Sequence, residues 1–226
     1  MTPRLAPGAD LQGLYESLRA EYGPQNWWPA EGRFEILIGA VLTQNTAWTN
    51  VERAIARLQD KGWLEAAAIL AADERQFTEA LRPSGTFRIK AQRLITLCRW
   101  FEQAGGFTAL DRCPTTELRN QLLALKGIGP ETADAILLYA FDRPVFVIDA
   151  YTRRLLARMG WLAGVGKRQP AYESLRSVFE LTLATDVNLF AQYHALIVEH
   201  AKQRCRARPL CDQCMLRTRC QTGLDA

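Results

Sequence analysis

Leu125-Lys126-Gly127-Ile128-Gly129-Pro130-Glu131-Thr132-Ala133 is the stretch on which the fold turns. Upstream of it, residues 115–124 read as a helix with Leu118, Leu122 and Leu125 apolar. Downstream, Pro130 opens a second helical run to Phe141, with Ala133, Ile136, Leu137 and Ala140 on one face. The connection holds two glycines, which let the backbone turn tightly and bring its N–H groups close to another surface with no Cβ in the way. A phosphate suits that arrangement. An ordinary corner between two helices, with glycine at a helix end, carries the same local pattern, so the surrounding chain has to separate the two.

Working outward, the pattern is helical almost throughout. Leu11, Leu14, Tyr15 and Leu18 fall at i, i+3, i+4 and i+7; Trp48, Val51, Ile55 and Leu58 follow in steps of three or four; Ala91, Leu94, Ile95 and Cys98 repeat the pattern after the turn signal Pro83-Ser84-Gly85. The one strand-like run, Val145-Phe146-Val147-Ile148, is short and follows Pro144, so a buried extended connector is expected there rather than a sheet. Breaks fall near residues 29–32, 82–85, 105–106, 113–114 and 164–170, none long enough for a flexible linker. The fold class is all-α.

At 226 residues, 48% hydrophobic and 23% charged, the composition excludes disorder. No apolar run approaches the roughly 18 residues a membrane span needs, and the first residues lack the apolar core of a signal peptide. A cytoplasmic monomer with no membrane partner is the expectation. Six cysteines in such a chain point away from structural disulfides. Cys98 and Cys113 read as inert thiols, whereas Cys205, Cys211, Cys214 and Cys220 form C-x5-C-x2-C-x5-C, four soft ligands within sixteen residues. The same segment carries Lys202, Arg204, Arg206, Arg208, Arg217 and Arg219 against the single acid Asp212, although the net charge of the chain is only +4. That local excess suits a phosphate backbone. His194 and His200, separated by six residues, read as structural or surface residues.

Asp149 stands directly before the amphipathic run Ala150-Tyr151-Thr152-Arg153-Arg154-Leu155-Leu156, the place of a helix N-cap. The string from Leu125 to Ala133, followed twenty residues past Gly129 by Val147-Ile148-Asp149, resembles the helix-hairpin-helix DNA glycosylase superfamily, in which an essential aspartate follows such a hairpin. The resemblance covers nearly the whole chain. It implies two packed helical domains: a barrel-like one over 30–140 holding the helix-hairpin-helix, and a second over 1–29 and 141–226 holding a C-terminal metal-cluster loop. It also implies that Leu42-Thr43-Gln44-Asn45-Thr46, on an early helix, supplies Gln44 and Asn45 to fill the gap left by a flipped base. Lys126, Gly127, Gly129, Arg206 and Arg208 would hold DNA phosphates.

The cysteines resemble the cluster motif of the endonuclease III branch, with five residues rather than six between the first two, and so imply a four-iron, four-sulfur cluster. Zinc is the rival, although zinc ribbons ordinarily use two C-x2-C knuckles and one is present here. Bifunctional members carry a lysine where this chain has Glu131, and a carboxylate forms no imine. The resemblance therefore implies a monofunctional glycosylase without strand cleavage. Trp27-Trp28-Pro29, with Trp48 and the segment Glu131 to Leu137, is similar to the 3-methyladenine DNA glycosylase III branch. This implies a pocket of Trp28 and Trp48, with Glu131 near it, for an alkylated purine in duplex DNA. The alternatives are a mismatch or oxidised-pyrimidine glycosylase on the same scaffold, a non-catalytic DNA-binding module in which Asp149 merely caps, and an iron–sulfur redox protein.

Overall fold

The computed structural model describes residues 5, 6, 8–162 and 171–226; the break expected over 164–170 lies outside them. In chain order the helices are α1 (Leu11–Tyr22), α2 (Arg33–Leu42), α3 (Trp48–Asp60), α4 (Ala66–Ala71), α5 (Glu74–Ala80), α6 (Phe87–Gln103), α7 (Gly106–Leu110), α8 (Thr115–Ala124), α9 (Pro130–Ala140), α10 (Ala150–Arg158), α11 (Tyr172–Thr182), α12 (Val187–Gln203) and α13 (Gln221–Leu224). Short 3-10 turns occupy Arg82–Ser84, Cys211–Gln213 and Arg217–Arg219. Among the described residues there is no strand. The chain divides into two compact units, Trp28–Arg143 and a second built from residues 1–27 and 144–226.

In the Trp28–Arg143 unit the predicted stripes lie mostly on the buried faces: Val51, Ile55 and Leu58, with Ala54, on α3, and Ala91, Leu94 and Cys98, with Leu97, on α6, whereas Trp48 and Ile95 are only partly buried. The centre is α9. Every residue from Thr132 to Ala140 is buried, and it packs on α2 and α8. A helix apolar on all sides can only persist inside a core, where each fully buried Ile or Leu contributes roughly 1.5–3 kcal/mol. A charged side chain enters that core with it. Asp134, with no exposed area, is gripped by Arg119 of α8, whose Nε and Nη2 donate to its two oxygens at 2.6 and 3.1 Å. This two-pronged pair joins the helices on either side of the hairpin.

The other unit is organised around α12, which packs on α1 and α10. Asp10 caps α1 by accepting from Gly13 N at 2.8 Å, and the predicted stripe Leu11, Leu14, Tyr15 and Leu18 is its buried face. Tyr193 of α12 donates its hydroxyl to Leu11 O at 2.8 Å and lies 5.3 Å from the Tyr15 ring. Residues 145–148 form the expected extended connector, each at most 4% exposed. Side chains satisfy its backbone in place of a neighbouring strand: Phe146 N donates to Glu180 Oε1 at 2.9 Å and Ile148 N to Tyr172 Oη at 3.3 Å. Phe146 stacks on Phe179 with centroids 4.0 Å apart. The connector is thus pinned where it delivers the chain to Asp149.

Breaking a buried pair by removing one partner strands a charge in the core, at a cost of about 3–5 kcal/mol. Arg119→Ala is expected to destabilise the protein by that amount in urea unfolding, and replacement of both Arg119 and Asp134 by leucine to recover most of it. An Arg119→Ala loss below about 1 kcal/mol would place the pair in the solvent-screened class instead.

Candidate functional site

The hairpin takes its shape from two differently placed glycines. Gly127 has φ +94°, and a Cβ there would come within 2.7 Å of Arg93 Cγ and Cδ. Both the backbone region and the close approach of Arg93 exclude a side chain. Gly129 has φ −93° and ψ 177°, extended backbone open to any residue, and a Cβ there would meet nothing within 4 Å. Nothing within the protein demands glycine at this second position. Gly129 is exposed and directly precedes α9, whose N-terminus has Pro130 at its start and no side-chain cap. Lys126 is exposed beside it, Ile128 is buried as the hairpin's anchor, and Glu131 is exposed in the first turn of α9.

The segment expected on an early helix is in fact a turn: α2 ends at Leu42, and residues 43–46 form the connection to α3. Helix geometry stops there because Asn45 adopts φ +53°, the left-handed region that asparagine tolerates and a helix interior does not. The side chain of Gln44 is engaged on three sides. Its Nε2 donates to Gly127 O at 3.1 Å and Thr132 Oγ1 at 2.9 Å, and its Oε1 accepts from Arg93. Asn45 is exposed at the apex. Beneath the turn lies Lys90, 1% exposed, whose Nζ donates to Leu42 O at 3.0 Å and Ser84 O at 2.5 Å. Burial first and the nearby Arg93 second bring its pKa down to about 8.

Trp28 and Trp48 meet edge to face, centroids 5.4 Å apart and planes at 85°. They therefore do not form a slot between parallel faces. Tyr139 of α9 is the third ring, 5.3 Å from Trp28. Gly39 of α2 makes room for this cluster, since a Cβ there would lie 3.1–3.4 Å from the Trp28 indole. Trp28 and Trp48 are both partly exposed, whereas Tyr139 is 9% exposed. Tyr139 carried no sequence signal beyond its place in an apolar helix.

Asp149 is the N-cap of α10. Its Oδ1 accepts from Thr152 N at 2.7 Å and Thr152 Oγ1 at 2.8 Å. Oδ2 points to His194 of α12, with Nε2 at 3.6 Å, an ion pair whenever the imidazole is protonated. Burial works to raise the carboxyl pKa, but His194 and the two Thr152 donors outweigh it and hold Asp149 below the ordinary carboxylate range. Capping and charge are thus compatible: one oxygen is spent on the helix and the other is turned toward a titratable ring. Both histidines are buried, which excludes the surface reading. His194 gave no motif spacing with Asp149, 45 positions away, and only the packing of α10 on α12 brings them together. His200 bonds Tyr22 Oη through Nδ1 at 2.9 Å and lies 3.9 Å from Cys214 Sγ through Nε2. Burial lowers its pKa to about 4.

Cys205, Cys211, Cys214 and Cys220 line a single cavity walled by Leu155, Leu216, Arg158 and His200. Arg158 donates from Nη1 to Cys205 Sγ at 3.2 Å and to Arg206 O at 2.6 Å, and Arg154 donates to Cys205 O at 2.9 Å, so α10 holds the loop that carries the first cysteine. Burial raises the Cys214 and Cys220 thiols, and the neighbouring cysteines of the set add to the effect. Among the described residues no group of three His, Cys, Asp or Glu side chains is arranged to hold a single metal ion. The basic excess of this segment is smaller in space than in sequence. Arg217 pairs with Asp212 at 2.8 Å and Arg219 with Asp10 at 3.3 Å, leaving Lys202, Arg206 and Arg208 as the exposed cations in no ion pair among the described residues. Cys98 is fully buried, its pKa pushed up to about 12 by burial, in keeping with an inert thiol.

Residues 38–180 match the family described as "HhH-GPD superfamily base excision DNA repair protein". The "Putative DNA repair glycosylase MJ1434" of Methanocaldococcus jannaschii is 45% identical over 210 residues, covering 92% of this chain and 94% of that protein. Endonuclease III of Sulfolobus acidocaldarius is 28% identical over 194 residues, covering 85% and 83%. Among solved structures, the H. pylori 3-methyladenine DNA glycosylase bound to 1,N6-ethenoadenine superposes with a TM-score of 0.71 at 30% identity, covering 86% of this chain and 98% of that one. A non-covalent endonuclease III–DNA complex gives a TM-score of 0.80 over 96% and 98% of the two chains, a likeness of fold at 19% identity. With hairpin, uncapped helix and aspartate in place, and with the match running over most of its length, the chain belongs to the HhH-GPD superfamily of base excision DNA repair proteins.

Proposed function

We propose that this base excision DNA glycosylase is monofunctional and releases alkylated purines of the 3-methyladenine type from duplex DNA. The observation that carries the substrate reading is the partly exposed indole pair Trp28–Trp48 backed by Tyr139. Because the two indoles meet at right angles, a base would stack on one face and meet the edge of the other ring. A methylated purine is cationic, and an indole face attracts such a ring by about 0.5–2 kcal/mol when desolvated. The likeness to a 3-methyladenine glycosylase at 30% identity supports the same reading.

The reaction is hydrolysis of the N-glycosidic bond. The base must first leave the stack, at a cost of a few kcal/mol that is least for a damaged base. Asn45, exposed in a left-handed turn, is suited to enter the vacated space, while Gln44 braces that turn against the hairpin. Lys126, the open N–H face at Gly129 and the uncapped start of α9 would hold a phosphate, with Arg206 and Arg208 adding charge. As the C1′–N bond breaks, its electrons leave with the purine and positive charge develops on the sugar. The ionised Oδ2 of Asp149 stabilises that charge and orients the water that adds to C1′, which then gives up its proton.

No lysine stands at position 131 to attack C1′, and Lys90 has its amine committed to two carbonyls in the core. Cys205, Cys211, Cys214 and Cys220 would hold a four-iron, four-sulfur cluster. Four thiols around one cavity, in a segment similar to the cluster motif of the endonuclease III branch, support that reading. When bound, such a cluster would cross-link residues 205–220 and fix the loop that presents Arg206 and Arg208.

A panel of duplexes, assayed separately for base release and for nicking, tests the whole reading. Base release from methylated DNA is expected without nicking until alkali is added, and borohydride should trap no covalent adduct. Activity confined to thymine glycol or a G·T mismatch would replace the substrate assignment, and efficient trapping would overturn the monofunctional one. Asp149→Asn keeps a cap acceptor for Thr152 but loses the charge, so excision should fall on the order of 100-fold or more with little change in thermal midpoint. Near wild-type excision by that variant would reduce Asp149 to a helix cap. Anaerobically purified protein should contain iron and acid-labile sulfide in the ratio of a four-iron cluster; stoichiometric zinc with neither would reverse the metal assignment.

A further inference from the structure

The turn at residues 43–46 is held from below by two cations of α6 spaced three residues apart. Lys90 secures its main chain through Leu42 O. Arg93 secures its side chain: Nη1 donates to Gln44 Oε1, while the aliphatic stem of Arg93 occupies the space a Cβ of Gly127 would need. Gln44 in turn donates to Gly127 O and Thr132 Oγ1. The guanidinium, the amide and the hairpin carbonyl therefore form one continuous chain of contacts between a turn and a hairpin more than 80 positions apart in sequence. The carbonyl oxygen and amide nitrogen of Gln44 are both spent within it, leaving Asn45 as the exposed polar side chain at the apex.

We propose that Arg93 is a positioning residue that locks the 43–46 turn to the hairpin, so that the grip of the hairpin on a phosphate fixes where Asn45 meets the base stack. This rests on the reading of the hairpin as a phosphate site and of the turn as a wedge. The bracing works through a chain of hydrogen bonds and a packed stem, not through the charge of Arg93 acting on DNA. Loss of the guanidinium leaves Gln44 Oε1 without that donor, so the amide is no longer held in register for its own bonds to Gly127 O and Thr132 Oγ1, and the coupling between turn and hairpin loosens. Phosphate binding survives, but wedge insertion is no longer registered to it.

The test compares Arg93→Met, Gln44→Ala, the double variant and Arg93→Lys, whose long stem keeps a donor within reach of Gln44 Oε1. Three readouts are taken: single-turnover base release from methylated duplex at saturating enzyme, fluorescence of a 2-aminopurine beside the lesion as a report of unstacking, and the salt dependence of binding to undamaged duplex. Arg93→Met is expected to lower both release rate and unstacking signal roughly 10-fold, the scale of a lost charge-assisted hydrogen bond. The salt slope should stay unchanged. The double variant should be no worse than the poorer single one, because both remove the same link, and Arg93→Lys should recover most of the signal.

A salt slope reduced by about 0.9 in Arg93→Met, as for one lost phosphate contact, would make Arg93 a DNA ligand and overturn the proposal. Additive losses in the double variant would do the same. If Arg93→Met lowers the thermal midpoint markedly, the outcome is read from Arg93→Lys and Gln44→Ala alone. Gly129→Asp separates the two levels of inference. It places a carboxylate at the open N–H face, and unchanged duplex binding there would remove the phosphate reading and the coupling with it; weakened binding together with additive losses would remove the coupling alone.

Discussion

The burial of α9 is the constraint on which the rest of its unit depends. Its residues from Thr132 to Ala140 are enclosed on every side, so its direction and height are fixed by close packing against α2 and α8. Its N-terminus must therefore emerge at one place, and the hairpin that emerges with it has little freedom left. The Arg119–Asp134 pair adds a directional element to packing that is otherwise non-directional, since a two-pronged grip at 2.6 and 3.1 Å tolerates little sliding of α8 along α9. A helix terminus presented so rigidly can leave its first N–H groups uncapped, because the stability of α9 comes from the core and not from its end.

Asp149 combines a structural position with a carboxylate oxygen left over from it. An N-cap aspartate needs one oxygen for the helix, and here Thr152 takes Oδ1 twice. The other oxygen is free of that duty and is fixed in direction by it. The buried connector over residues 145–148 makes the geometry hold, because its N–H groups are satisfied by Glu180 and Tyr172 and cannot drift toward alternative partners. The carboxylate stays ionised in an environment that would otherwise neutralise it, through His194 and Thr152. Folding and the proposed chemistry thus draw on the same few atoms without competing for them.

The two glycines of the hairpin differ in what the fold itself requires of them. Gly127 is explained from within by its left-handed backbone and by Arg93 lying against it. Gly129 has ordinary backbone and open space. Both had been assigned the same role on sequence grounds, and the distinction between them is invisible there because it depends on what approaches each Cα.

By itself the sequence determined the all-α class, the two helices around the hairpin, the buried connector, the cap at Asp149 and the grouping of four cysteines. These are local properties: helical periodicity, turn chemistry and short spacing act over a few residues, and the chain realises them whatever it packs against. Only tertiary structure decided that Gln44 and Asn45 lie in a turn with opposite fates, one braced and one exposed. Packing alone set Trp28 edge-on to Trp48 with Tyr139 behind, brought His194 to Asp149, and tied two of the C-terminal arginines to acids. Those outcomes rest on contacts between residues up to about two hundred positions apart, and contact partners at such separation are set by how helices stack, a quantity that no window of sequence contains.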